Sequence, residues 1–113
     1  MMNNLEKREH SRVKVRWPIT VLTAHDIIQA EIRNITVNGM LICSEDLLPL
    51  DSTFPLSISP PNSQPIEISG KVVWSDHYTL DEQNVPYAMG LCFVKVSEED
   101  RQFLDELILA QPR

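Results

Sequence analysis

The stretch Val13-Lys14-Val15-Arg16-Trp17-Pro18-Ile19-Thr20-Val21 decides the fold. Apolar side chains occupy every odd position, with Lys14, Arg16 and Thr20 between them. Side chains of an extended chain alternate between two faces, so this period of two is that of a half-buried strand. Pro18 cannot donate to a ladder, which predicts a bulge or an edge at that point. The same alternation returns downstream in Ile28–Arg33, Phe54–Ile58, Ile66–Trp74 and Tyr87–Phe93, and Gly39–Cys43 reads as a short apolar strand, third in chain order. Gly70 lies inside the fifth run, where it predicts a bend or bulge of the kind barrel closure needs.

Turn chemistry separates these runs. Asn38-Gly39 is a hairpin dipeptide, and Asp51-Ser52-Thr53 and Pro60-Pro61-Asn62-Ser63 are polar breaks. Asp76 to Pro86 reads as a longer acidic connection that projects from the domain. After Val96 the period changes. Ser97 can cap a helix, Glu98, Glu99 and Asp100 suit its positive end, and Phe103, Leu104, Leu107 and Ile108 share one face. A helix over about 97–110 is predicted. The fold class is therefore all-β: six short strands in a closed or nearly closed antiparallel barrel, with a C-terminal α-helix. The 113 residues suffice for one domain. Residues 1–12 read as a flexible basic arm and 13–113 as the barrel domain.

Charge narrows the function. The net charge of −6 speaks against a general nucleic-acid binder. Its distribution is uneven: residues 1–39 carry six basic and four acidic side chains, whereas residues 40–113 carry four and twelve. A basic arm on an acidic body suits a small anionic ligand. No apolar run approaches the roughly 20 residues that span a bilayer. The polar start, Met1 to His10, is unlike a secretion signal, which points to the cytoplasm.

Two short motifs can carry ligand chemistry. Arg8 and Arg12 form R-x-x-x-R ahead of the first strand. They stand about 13 Å apart if extended, or about 6 Å apart on a helical turn. Each guanidinium offers a fork of donors that matches phosphate oxygens or the O6/N7 edge of guanine. A solvated basic tail is the plainer reading of the spacing alone. Asn34-Ile35-Thr36-Val37-Asn38-Gly39, N-x-T-x-x-G, sits between the second and third strands. As a plain hairpin it needs nothing more. As a ligand turn, the Asn34 amide can pair with a guanine edge and the Thr36 hydroxyl can bond a phosphate or orient a neighbour. Gly39 allows positive φ and close approach.

Other chemistry finds no pattern. His10, His25 and His77 are scattered, so no metal site is expected. No nucleophile triad, phosphate loop or dinucleotide fingerprint is present, so no enzyme is expected. Cys43 and Cys92 lie in apolar runs and read as buried reduced thiols. Trp17 and Trp74 fall on apolar strand faces; core packing is the first reading and a stacking platform for bases the second.

The two motifs together, with roughly 22 residues between Arg12 and Asn34, and with Met89-Gly90-Leu91-Cys92-Phe93 before the terminal helix, resemble the PilZ domain family. The resemblance spans about residues 7–109. It implies a six-stranded barrel that binds the bacterial second messenger cyclic di-GMP. By this resemblance Arg8 and Arg12 contact phosphates and guanine, Asn34 reads a guanine edge, Thr36 supports the site and Gly39 shapes the turn. Lys7 stands where many relatives place a further arginine, and Thr36 where the family usually has serine. The implied module is a receptor that signals to a downstream partner protein by ordering its arginine arm, with no cofactor, nucleic acid or membrane insertion. The alternative is an adaptor of the same fold that binds no nucleotide.

Overall fold

The computed structural model describes residues 12–77 and 87–112. Six strands appear: β1 (Val13–Leu22), β2 (Ile27–Ile35), β3 (Gly39–Ser44), β4 (Thr53–Ile58), β5 (Ile66–His77) and β6 (Tyr87–Lys95). One helix follows, α1 (Glu98–Leu109). The strands close into an antiparallel barrel in the order β1-β2-β3-β6-β5-β4, and β4 pairs back onto β1. The closing seam is short, with only Ile19, Thr20 and Val21 of β1 paired to β4.

The odd-numbered residues Val13 to Val21 all point inward, as their alternation predicts. Each strand places at least one fully buried side chain in the common core, among them Ile19, Ile32, Ile42, Ile58, Val72 and Met89. A β-branched or flexible apolar side chain at each position fills a six-stranded interior without a lumen.

Irregularities of register aim the outer face. On β1 the partners pass from Lys14↔Asn34 to Trp17↔Ile32, so a bulge precedes Pro18. Pro18 is exposed, and its carbonyl accepts from the Ser59 N–H at 3.0 Å. On β5, shifts occur at Ser69/Gly70 and again at Val72/Trp74. The second reverses the alternation. Ile66, Ile68 and Val72 are buried, yet Val73 and Trp74 are both exposed. The first reading of Trp74 as a core residue is therefore corrected: the bulge turns it outward. Trp17 is in the core.

Two further expectations change. Asp76 and His77 pair with Ala88 and Tyr87, so they extend β5 and do not begin the connection to β6. The rest of that connection, 78–86, lies outside the described residues. Cys43 is buried, but Cys92 is exposed, because strand alternation puts it opposite the inward Leu91 and Phe93. Neither thiol is in a disulfide.

Helix α1 begins where its sequence predicts. The Ser97 hydroxyl accepts from the Asp100 N–H at 3.1 Å, and three acidic residues fill the first turn. Leu104 and Ile108, four apart, enter the barrel core, while Phe103 stays at the rim, 36% exposed. Arg101 donates to the Val37 carbonyl at 3.3 Å, which places the helix at the barrel end that carries the β2–β3 turn. Replacing Ser97 by alanine leaves an orphan helix N–H and is expected to cost about 1 kcal/mol. A urea melt reads this as a lower midpoint at unchanged slope.

Candidate functional site

The outer face carries one continuous row across five strands. Lys14 pairs with Asn34, Asn34 with Leu41, Leu41 with Gly90, and Gly90 with Trp74. Adjacent strands lie about 4.8 Å apart, so the row spans roughly 19 Å of arc. It is polar and cationic at the β1 end and apolar at the β5 end. A groove of about 450 Å³ lies over the part of it from Asn34 to Trp74, lined by Arg12, Asn34, Thr36, Leu41 and Trp74 and floored by Gly39 and Gly90. Ligand sites for small molecules run from roughly 300 to 1,000 Å³.

The apolar end is built on an absence. A Cβ placed on Gly90 would overlap the Trp74 indole Nε1, with Cδ1 at 2.8 Å and Cε2 at 2.9 Å. Three consecutive ring atoms at such similar distances mean that the ring lies face-on over the Gly90 backbone. Trp74 is nevertheless 44% exposed. One face of the indole is held by the glycine, and the other is open to the groove. That is the geometry of a stacking platform.

The polar end is set by the turn between β2 and β3. The Thr36 N–H donates to the Gly39 carbonyl at 2.8 Å. The Thr36 hydroxyl accepts from the Asn38 and Gly39 N–H groups at 3.1 and 3.2 Å, and it can donate back to the Gly39 carbonyl at 3.4 Å. The Asn38 carbonyl accepts from the Phe93 N–H at 2.9 Å. Thr36 thus closes a three-residue turn with its side chain, as serine and threonine do in local turns. Its hydroxyl is engaged in the turn, so it orients its neighbours.

This closure corrects the role expected of Gly39. Among the described residues only Asp51 and Asn62 have positive φ, and no glycine does. A turn held by Thr36 needs no left-handed residue. Gly39 answers to space: a Cβ there would overlap the Leu91 carbonyl oxygen and come within 3.4 Å of Cys92 Cα. Its close approach to β6 brings the turn onto the groove.

Of the residues picked out by motif, the structure gathers Arg12, Asn34, Thr36 and Gly39 around one groove. Arg12 is exposed and makes no ion pair with any other described residue. Arg8 and Lys7 lie outside the described residues, as does the rest of the arm before Arg12. Leu41, Gly90 and the open face of Trp74 escape motif reading. Gly90 inside an apolar strand is a signal of close approach, but the sequence does not say to what.

Fold and groove define a small antiparallel barrel that presents a polar-to-apolar cleft on its outer wall. The chain belongs to the PilZ domain family, which it matches over residues 6–110. No curated protein matches the sequence. Among solved structures, the chain is similar to the PilZ domain of Escherichia coli YcgR with c-di-GMP, at TM-score 0.77 and 13% identity, covering 93% of this chain and 91% of that one. It is also similar to the Bacillus subtilis inhibitor of motility MotI/DgrA, at TM-score 0.75 and 18% identity. That match covers 93% of this chain and 50% of the Bacillus protein, so the chain spans about half its length. MrkH, a c-di-GMP-dependent transcription regulatory factor, gives TM-score 0.72 at 16% identity, covering 88% of this chain and 50% of that one. At these identities the likeness is one of fold.

Proposed function

We propose that this chain is a bacterial cyclic di-GMP receptor module. The observation that carries the reading is the groove, lined by the Arg12 guanidinium and the Asn34 amide at one end and by the exposed Trp74 indole at the other. A cyclic dinucleotide has two purines and two phosphodiester charges, and it needs both kinds of partner. Arg12 and Arg8 clamp phosphate and the guanine O6/N7 edge, and Asn34 pairs with a guanine edge. Trp74 stacks a base, a contact worth roughly 1–3 kcal/mol. Lys7 adds charge to the arm without a fork. Membership of the PilZ family and the c-di-GMP held by the YcgR domain support this reading. Ordering of the arm, residues 1–12, then changes the surface offered to a partner protein in the cytoplasm. No catalysis is involved.

Calorimetric titration with cyclic di-GMP, with GTP and cyclic GMP as controls, tests it. Saturable binding of the cyclic dinucleotide alone is expected, with quenching of tryptophan emission. Trp74→Ala is expected to weaken binding about fivefold to tenfold. No heat, and no thermal stabilisation by millimolar cyclic di-GMP, would leave the chain as an adaptor without nucleotide.

A further inference from the structure

The barrel wall is not hydrogen-bonded along the whole of β2. Its pairing with β1 runs regularly from Trp17↔Ile32 to Leu22↔Ile27. On the other side, β3 pairs with β2 only as far as Glu31↔Cys43. Beyond that point β3 stays with β6 through Ser44↔Tyr87, and the Ser44 hydroxyl accepts from the Asp46 N–H at 2.9 Å, which turns the chain after Ser44. Residues 27–30 therefore overhang β3 and leave a bare edge.

The ladder shows which backbone groups are bare. The Thr23 N–H donates to the Asp26 carbonyl at 2.9 Å. Hydrogen-bonded and non-hydrogen-bonded positions alternate in an antiparallel pair. Ile28 and Ala30 thus bond to β1, and Ile27 and Gln29 direct their N–H and C=O groups to the side that β3 does not reach. The Pro18 carbonyl, which turns to the Ser59 N–H on the β4 side, obeys the same parity. Neither Ile27 nor Gln29 makes a backbone bond outside the strands among the described residues. Sheets blunt such edges with lysine, proline or a bulge. Ile27-Ile28-Gln29-Ala30 has none of these, and Ile27 is 61% exposed.

A concavity of about 440 Å³ follows this edge, bounded by residues 26–31 on one side and 43–46 on the other. Asp26, Glu45 and Asp46 line it, all three exposed and none in an ion pair with a described residue. No lysine or arginine lines it among the described residues. We infer that the β2 edge at Ile27–Ala30 is a docking site for an extended, basic segment of a partner protein, which adds to the barrel as a short strand. The backbone of Ile27 and Gln29 supplies the pairing, the Ile27 side chain supplies apolar contact, and the three carboxylates select lysine or arginine. A second copy of this chain is the wrong occupant, because pairing two such edges brings the same carboxylates together from both sides. The edge is also remote from the nucleotide groove: Ile27 lies eight residues along β2 from Ile35, roughly 26 Å.

The test titrates the full chain with a blocked six-residue peptide of alternating lysine and valine, followed by backbone amide NMR shifts. Saturable shifts at residues 26–31 and 43–46 are expected, with none at Thr36 or Trp74. The same peptide with glutamate for lysine is expected not to saturate. A lysine–valine peptide N-methylated at alternate residues keeps its charge but loses the donors of one edge, and its Kd is expected to rise about fivefold or more. On the protein, Gln29→Pro removes an N–H that β1 does not use, a position where a strand tolerates proline. It is expected to weaken the peptide by a similar factor at a nearly unchanged urea midpoint. Glu45→Lys with Asp46→Lys is expected to weaken the lysine peptide and admit the glutamate one. Absent shifts, or equal affinity for the N-methylated peptide, overturn the site, and the peptide comparison decides even where Gln29→Pro fails to fold. Shifts of residues 26–31 with protein concentration alone assign the edge to a second copy and overturn it as well.

Discussion

Arg12→Ala is expected to weaken cyclic di-GMP binding at least tenfold, Arg8→Ala to do the same, and the double variant to lose at least a hundredfold. A hydrogen bond to a charged group is worth roughly 1.5–3 kcal/mol, and each 1.4 kcal/mol is about a factor of ten. Arg12 stands at the mouth of the groove, exposed and without an ion pair among the described residues. It has no structural duty to lose, so its removal is expected to leave the melting temperature nearly unchanged. That separation makes the experiment decisive: affinity falls while the fold holds. Lysine sharpens it. Arg12→Lys keeps the charge but not the planar fork. If the guanidinium reads a bidentate partner, lysine restores only part of the loss; if it supplies charge alone, lysine restores most of it. Wild-type affinity should also fall as salt rises, because exposed phosphate contacts are screened over about 8–10 Å. Calorimetry that finds Arg12→Ala and wild type indistinguishable removes the arginine clamp from the account.

The barrel was legible because its signal is simple. Val13 to Val21 alternate without a break, four of the other five strands repeat the pattern and the third is a short apolar run, so six strands imply one closed core. The helix was legible through Ser97 and its acidic first turn. The site was legible only where a motif names it. Arg12, Asn34, Thr36 and Gly39 converge because one turn and one strand start adjoin in the β1–β2–β3 register. The outward turn of Trp74 was not legible, for a definite reason, although a stacking platform is its second reading from sequence. Its parity with Val72 places it in the core, and only the shift between Val72 and Trp74 turns it out. Bulges depend on partners distant in sequence, so local alternation cannot locate them. Gly39 lies in the turn its motif names, though not through a positive φ. Its missing Cβ makes room for a neighbouring strand, and no dihedral of its own demands it.

The two glycines beneath the groove make this reasoning testable, because one methyl group should do opposite things at each. Gly39→Ala is expected to cost about 3 kcal/mol of stability, at the upper end of overpacking effects. The new Cβ meets the Leu91 carbonyl oxygen, a backbone atom held in the β3–β6 ladder, and neither strand can move without breaking the pairing Gly39↔Cys92 or Met40↔Leu91. For a domain of this size such a loss lowers Tm by roughly 10–20 °C. Gly90→Ala meets the Trp74 ring, which is exposed and can swing away by a change of rotamer. Its stability cost is expected to stay near or below about 1 kcal/mol. The indole, however, leaves its place in the groove, so cyclic di-GMP affinity is expected to fall by up to the roughly fivefold to tenfold of Trp74→Ala. The tryptophan emission of the free protein should shift at the same time, since Trp74 loses the backbone that covers one face while buried Trp17 is untouched. Both variants are titrated well below their melting temperatures, so that the folded population is the one measured. A Gly39→Ala protein that melts with the wild type would show that the two strands do not approach as described. A Gly90→Ala protein with altered emission but full affinity would show that the indole moves and that no base rests on it.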